Sequence, residues 1–291
     1  MKILVTGAKG FSSRYLIELL KQRRGAELYF TDLQIGNEQN WYKCDLKEYP
    51  SVFKMMTAIM PDQVYNLAGT FSNDYEIDYK ANVLAGKNIL DSLRNLKIGS
   101  RVLLVGSSAE YGLVQEADNP VKETQKLNPV SIYGLTKVYQ AFLMRSYRIM
   151  YDLDIVMVRP FNLLGMGMSE QLFVGRIEKM IRAYQAGEIK KIKVGNLEAR
   201  RDYISISEAI EDYELVMNAG NSGEVYNVGK GSSIKMRDLL REILCEHGMD
   251  MSVVEERSRD LDNKIDIPVL YADIERINTL RNNSQQLHIS L

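Results

Sequence analysis

Tyr133 and Lys137 lie four residues apart in the stretch Asn128-Pro-Val-Ser-Ile-Tyr-Gly-Leu-Thr-Lys137, and together they are the first chemical signal in this chain. Four residues is about one helical turn, so a helix here brings the phenol and the ammonium out on one face. An ammonium beside a phenol favours the phenolate and lowers its pKa, which lets a tyrosine work as general acid or base near neutral pH. Ser107 stands at the end of an earlier predicted strand. The combination suits hydride transfer at a carbon bearing oxygen. Alone, Tyr-x-x-x-Lys is a common coincidence in a chain with 17 tyrosines, so its weight depends on the elements around it.

Those elements read as a nucleotide site. Directly after the first apolar run comes Gly7-Ala-Lys-Gly10-Phe-Ser-Ser13, a Gly-x-x-Gly-x-x-Gly spacing with serine in the last place. Gly7 permits a tight turn and Gly10 lets backbone approach a pyrophosphate, while Phe11 and Ser12 open a helix whose free N–H groups face the phosphates. Ser13 keeps a hydroxyl that can donate a hydrogen bond. Asp32, in Phe30-Thr-Asp-Leu33, follows the second predicted strand about 20 residues later, where a carboxylate accepts from the adenosine ribose and repels a 2'-phosphate. This favours NAD(H), with NADP(H) as the alternative. Asp45 and Leu46 are placed against the adenine edge, and Leu67, Ala68 and Gly69 end a further strand with little bulk beside a dinucleotide.

The positioning framework is α/β. Ile3–Val5, Glu27–Phe30, Gln63–Asn66, Arg101–Val105 and Ile155–Val158 are short apolar runs separated by helix-length segments such as Ser13–Arg23 and Asn82–Leu96. Such alternation predicts a Rossmann-type doubly wound parallel sheet, with ligands beyond the carboxyl ends of its strands. Residues 1–163 are expected to form the dinucleotide-binding domain and 164–291 mainly a smaller C-terminal lobe. Segments near 204–230 re-enter the first domain, through a strand at Glu224–Val228. The tail from Asn282 to Leu291 is weakly patterned and is expected to be poorly ordered.

Composition narrows the partners. Lys+Arg of 37 against Asp+Glu of 38 gives a net charge of -1, which implies no general attraction to nucleic acid or to an anionic membrane. No apolar stretch approaches the roughly 18 residues of a membrane span, and the first residues run straight into the glycine motif, so a cytoplasmic location is expected. Cys44 and Cys245 have no metal-ligand spacing, and His247 and His288 are the only histidines, so neither a metal site nor a Ser-His-Asp hydrolase is expected.

Together these motifs resemble the extended short-chain dehydrogenase/reductase family of nucleotide-sugar epimerases, dehydratases and reductases, over residues 1 to about 230. The resemblance implies that Tyr133 exchanges the substrate proton, that Lys137 lowers its pKa and binds the nicotinamide ribose, and that Ser107 hydrogen-bonds the reacting oxygen. Asn82 matches an asparagine on the helix beneath that site and Ser108 a substrate contact. Dehydratases of the family carry an acidic residue two positions after the serine; Ala109 stands there, although Glu110 follows.

The segment Gly195-Asn-Leu-Glu-Ala-Arg-Arg-Asp202 looks like the branch of GDP-mannose 4,6-dehydratases and GDP-4-keto-6-deoxy-D-mannose reductases. It implies that Arg201 meets a diphosphate and Asn196 a base or ribose, with Asn162 at a further diphosphate position. Arg176 and Lys179 add charge nearby or are simply solvated. The second arginine of that branch has no counterpart near Asp262–Pro268, where Lys264, Arg257 or Arg259 would have to substitute.

The expected activity is therefore reduction, with NAD(P)H, of the C4 ketone of a GDP-linked 4-keto-6-deoxy sugar. An NDP-sugar 4-epimerase with retained NAD is the main alternative, ahead of a GDP-mannose 4,6-dehydratase or a non-catalytic nucleotide sensor. By analogy a homodimer is expected, with subunit contacts around residues 81–96 and 129–151.

Overall fold

The computed structural model describes residues 1–256 and 267–289, with side chains as far as residue 284. Seven strands, β1 (Lys2–Thr6), β2 (Glu27–Asp32), β3 (Trp41–Lys43), β4 (Gln63–Asn66), β5 (Arg101–Val105), β6 (Ile155–Pro160) and β11 (Val225–Val228), form one sheet. Their order is β3-β2-β1-β4-β5-β6-β11 and every pairing is parallel. The apolar runs read as strands are buried because helices cover both faces of the sheet. Successive strands leave β1 in opposite directions, so a crevice opens beyond the carboxyl ends of β1 and β4.

One face is packed by α1 (Phe11–Lys21), α7 (Ile206–Ala219) and α9 (Glu275–Ile289), through residues such as Leu16, Tyr213 and Ile277. The other is packed by α2 (Tyr49–Ile59), α4 (Ala85–Leu96) and α5 (Ile132–Tyr151), through Met56, Ile89 and Met144. A separate core joins α6 (Phe173–Gln185) and α8 (Met236–Glu246), centred on Ile177, Ile192 and Leu240. Around it three small sheets pair β7 (Asn162–Leu164) with β10 (Tyr203–Ser205), β8 (Ile192–Val194) with β13 (Val254–Glu256), and β9 (Arg200–Arg201) with both β12 (Ile234–Lys235) and β14 (Val269–Leu270). β11 then returns the chain to the main sheet beside β6.

Three departures from the sequence reading have physical causes. β3 is only three residues long and not fully buried, so it gives no apolar run to read. The helix expected from Asn82 begins earlier and is not α-helical throughout: α3 (Tyr75–Asp78) passes through a π-helical turn, Tyr79–Leu84, before α4. The tail is a helix as far as Ile289, because Ile277 and Leu280 enter the sheet core and Arg281 forms two hydrogen bonds, at 3.0 and 2.7 Å, to the buried Asp212 carboxylate. On α5, where a subunit contact is expected, Tyr147 is core and bonds Asp91, whereas Ile149 and Met150 face solvent. Among the described residues no helix is long and apolar enough to cross a membrane, and no cluster of three or more His, Cys, Asp or Glu is placed to hold a metal ion.

Candidate active site

The crevice is a cavity of about 390 Å³ at the carboxyl ends of β1, β2 and β4. Gly7 turns the chain out of β1 with φ +61°, and a Cβ on it would lie 2.7 Å from the Ala68 Cα, so the turn and the close approach both require glycine. Gly10 is the N-cap of α1 and no side chain caps the helix. The N–H groups of Phe11, Ser12 and Ser13 therefore face outward with the positive end of the helix dipole. The Ser13 hydroxyl is buried and has no hydrogen-bond partner. Uncapped N–H groups and an orphaned hydroxyl at one helix end are what phosphate oxygens satisfy, so these residues fit a dinucleotide pyrophosphate.

Asp32 lies on the cavity wall and is fixed by backbone donors, Lys9 N–H to Oδ2 at 3.0 Å and Leu33 N–H to Oδ1 at 2.7 Å. Asp45 and Leu46 line the same wall, Asp45 paired with Lys47 at 3.3 Å. Leu67, Ala68 and Gly69 form the opposite side, and a Cβ on Gly69 would lie 3.4 Å from the Lys137 Nζ. Thus Lys137 lies just behind Gly69 on this wall.

Asn82 sits one layer behind this wall. It is fully buried in the π turn, where its Oδ1 accepts from the Thr70 N–H at 2.9 Å and its Nδ2 donates to the Thr70 carbonyl and to Thr136 Oγ1, both at 3.0 Å. Its amide is thereby spent on holding loop and helix together rather than on facing the cavity.

Tyr133 is the second residue of α5, after the cap Ser131, whose Oγ accepts from the Gly134 N–H at 3.0 Å. Lys137 follows on the same face, buried, its Nζ donating to the Val105 carbonyl at 2.9 Å and lying 5.7 Å from the Tyr133 ring centroid. The expected lowering of the phenol by the lysine is corrected by this geometry. Burial pushes Tyr133 up to about 12, and only the Ser107 hydroxyl pulls it down, while Glu110 and Asp78 add to the rise. Burial also lowers Lys137 to about 8, against the same two carboxylates. Burial thus favours the protonated phenol and weakens the ammonium, which the two carboxylates support.

Ser107 caps a short turn, with Ser108 as its first residue and the Ser107 Oγ accepting from the Ala109 N–H at 3.1 Å. Glu110 is fully buried: its Oε1 accepts the Ser107 N–H at 2.8 Å and its Oε2 takes Arg159 Nε at 2.7 Å. Burial pushes this carboxyl up and the guanidinium pulls it down. The pair stays ionised, because protonating Glu110 would leave Arg159 buried without a counter-charge. Glu110 is therefore a structural group and is unavailable as an eliminating acid or base.

Asn162 lies on β7 and is partly spent on structure, its Nδ2 donating to the Asp202 carbonyl at 2.8 Å. Asn196 closes a turn by accepting the Glu198 N–H at 2.8 Å. Burial pushes the Tyr203 phenol up to about 12, and Arg201 and Arg176 are both close enough to pull it back down. Both cations therefore act on the same phenol of the lobe. Lys179, by contrast, pairs with Glu170 at 2.9 Å on the surface. Asp202 anchors loops, accepting from the N–H groups of Lys230, Gly231 and Ala272. Lys264, Arg257 and Arg259 lie outside the described residues.

A glycine turn, an aspartate after β2 and a Ser-Tyr-Lys set around one parallel-sheet crevice are joined by a direct match: residues 3–229 fit the profile of the NAD dependent epimerase/dehydratase family. The chain belongs to that family. As a member of the NAD dependent epimerase/dehydratase family it is an NAD(P)-dependent oxidoreductase or epimerase. It is 28% identical to a GDP-6-deoxy-D-talose 4-dehydrogenase of Aggregatibacter actinomycetemcomitans, over 97% of this chain and 92% of that protein. It is 25% identical to a GDP-6-deoxy-D-mannose reductase of Pseudomonas aeruginosa, over 89% and 84% of the two chains. The structure of RMD from Pseudomonas aeruginosa complexed with NADPH superposes with a TM-score of 0.82, at 23% identity, over 97% of this chain and 92% of that one.

Sequence reasoning missed the segment between β4 and the π turn. Ile77 and Lys80 line the cofactor cavity, and Phe71 packs edge-on against Tyr133 with ring centroids 4.9 Å apart. The available signal was Asp78, four residues before Asn82 and so on the same helix face.

Proposed function

We propose that this protein reduces the C4 ketone of a GDP-linked 4-keto-6-deoxy sugar with NAD(P)H. The observation that carries the reading is the placement of Tyr133 with Ser107 and Lys137 beside the crevice, with Ala109 where elimination needs an acid and Glu110 locked to Arg159. Reduction needs a proton donor at the C4 oxygen, and a phenol pushed up to about 12 is fully loaded with its proton at neutral pH. Ser107 hydrogen-bonds the same oxygen, and the Lys137 ammonium stabilises the tyrosinate left behind. A bound NADH or NADPH supplies the hydride that completes the C–H bond. Gly7, Gly10 and the first turn of α1 would hold its pyrophosphate and Asp32 its adenosine ribose. Arg201 and Arg176 would meet the substrate diphosphate. The similarity to two GDP-6-deoxy-sugar oxidoreductases supports the GDP linkage.

The test is to incubate the purified protein with GDP-4-keto-6-deoxy-mannose and NADH or NADPH, following nicotinamide absorbance and determining the C4 configuration of the product. Stoichiometric oxidation is expected, and Tyr133→Phe should slow turnover on the order of 100-fold. Unchanged turnover in that variant would sink the assignment of the proton donor. No oxidation, in a protein that releases NAD on denaturation and interconverts C4 epimers, would make it an epimerase instead. Asp32→Ala should erode a preference for NADH by on the order of tenfold; an unmoved ratio of kcat/KM would show that Asp32 does not read the ribose.

A further inference from the structure

Asp78 is a buried carboxylate that the reaction above does not use. It ends α3 with no exposure to solvent, and four donors converge on it. Thr70 Oγ1 at 2.8 Å, Ser72 N–H at 2.9 Å and Ser72 Oγ at 2.7 Å bond Oδ1, and the Asn73 N–H bonds Oδ2 at 2.9 Å. All four are neutral. Among the described residues no lysine or arginine forms an ion pair with Asp78. A carboxylate held by several N–H and O–H donors stays ionised even when buried, so it contributes a fixed negative charge to its surroundings.

The loop held in this way, Thr70–Asn73, is otherwise exposed to solvent, yet it covers the reacting tyrosine. Phe71 lies edge-on to the Tyr133 ring, and Asn73 Oδ1 accepts the Tyr133 N–H at 3.4 Å. Asn82, on the same helix face one turn on, ties the Thr70 backbone to Thr136 of α5. A short exposed loop without a tether samples many conformations. Asp78 supplies the tether.

We propose that Asp78 is a positioning residue for proton transfer: it fixes the loop Thr70–Asn73 as a cover over Tyr133 and presents a buried negative charge to the Tyr133–Lys137 pair. This rests on the reading of Tyr133 as proton donor. The groups facing that pair are Asp78 from α3, Glu110 from the turn after β5, and the buried phenol of Tyr213 from α7, with Glu110 already matched by Arg159. Asp78 raises the pKa of both Tyr133 and Lys137, so it favours the protonated phenol and the ammonium together. Without its charge both groups lose their protons at lower pH.

The experiment follows the Lys137 Cε resonance by NMR through a pH titration, assigned by its loss in Lys137→Met, in the wild type and in Asp78→Asn. It needs no substrate, so it judges Asp78 even if Tyr133→Phe shows the proposed reaction to be wrong. The wild-type midpoint is expected near 8. In Asp78→Asn it should fall by about half a unit to one unit, as expected for losing a nearby opposite charge that favours the ammonium, and the alkaline limb of kcat should move down with it. Ser72→Ala, which loosens the loop but keeps the charge, should lower kcat by about threefold or more while leaving that limb in place. An unmoved Lys137 midpoint in a folded Asp78→Asn protein would overturn the electrostatic role, and unchanged kcat in Ser72→Ala would overturn the role of the cover.

Discussion

Glu110 and Asp78 both act on Tyr133 and Lys137, and both are completely buried carboxylates, yet they are neutralised in different ways. Glu110 meets a guanidinium, Arg159 Nε at 2.7 Å, whereas Asp78 meets only hydroxyls and backbone N–H groups. The Glu110 side of the site therefore joins β5 and β6 as architecture while its carboxylate still raises both Tyr133 and Lys137, and the Asp78 side adds to that rise from a loop that its own charge holds in place. Two residues of one chemical type, side by side, are assigned different work by what donates to them.

The largest way to break this comparison is to unpair Arg159. Glu110→Ala removes the counter-charge from a guanidinium that is almost wholly buried, and the Ser107 N–H loses its acceptor as well. Removing one partner of a buried ion pair costs about 3–5 kcal/mol. Urea denaturation should show that loss in the midpoint at an unchanged slope. A loss under about 1 kcal/mol would mean that the guanidinium finds other partners, the Tyr111 hydroxyl and Glu123 carbonyl within 3.4 Å being the candidates, and the pair would no longer count as architecture.

The two sides also differed in how far the sequence disclosed them. Strand periodicity placed Gln63–Asn66 and Arg101–Val105 at their observed limits, because parallel strands covered on both faces are continuous apolar runs. Gly7, Gly10, Ser107, Tyr133 and Lys137 could be read because backbone turns and helix spacing fix them locally. Glu110 could be named but not assigned. Its role depends on Arg159, 49 residues away on another strand, and no local pattern reports that contact. Asp78 escaped for a different reason: its four donors are close in sequence but come from a loop whose fold is created by the carboxylate itself. The upward push on Tyr133 was missed because spacing shows which side chains share a face but not what packs around them.

The smaller and sharper test of the comparison is the dependence of stability on pH. Burial alone would raise the Asp78 carboxyl, but the hydrogen bonds from Ser72, Thr70 and Asn73 outweigh it and hold the group below its ordinary range. A carboxyl depressed in the folded state stabilises the protein at pH above its unfolded value of roughly 4, and that contribution is lost as pH falls through the unfolded value toward the folded one. In Asp78→Asn the group cannot ionise and the Asn73 N–H or a hydroxyl loses its acceptor, a cost of about 1–3 kcal/mol at pH 7. The wild type should therefore exceed the variant in denaturation midpoint at pH 7, and the gap should narrow steadily from about pH 4 downward. A gap of constant size down to pH 3 would show that the neutral acid serves the loop as well as the carboxylate. Asp78 would then be architecture like Glu110, and the contrast between the two flanks would disappear.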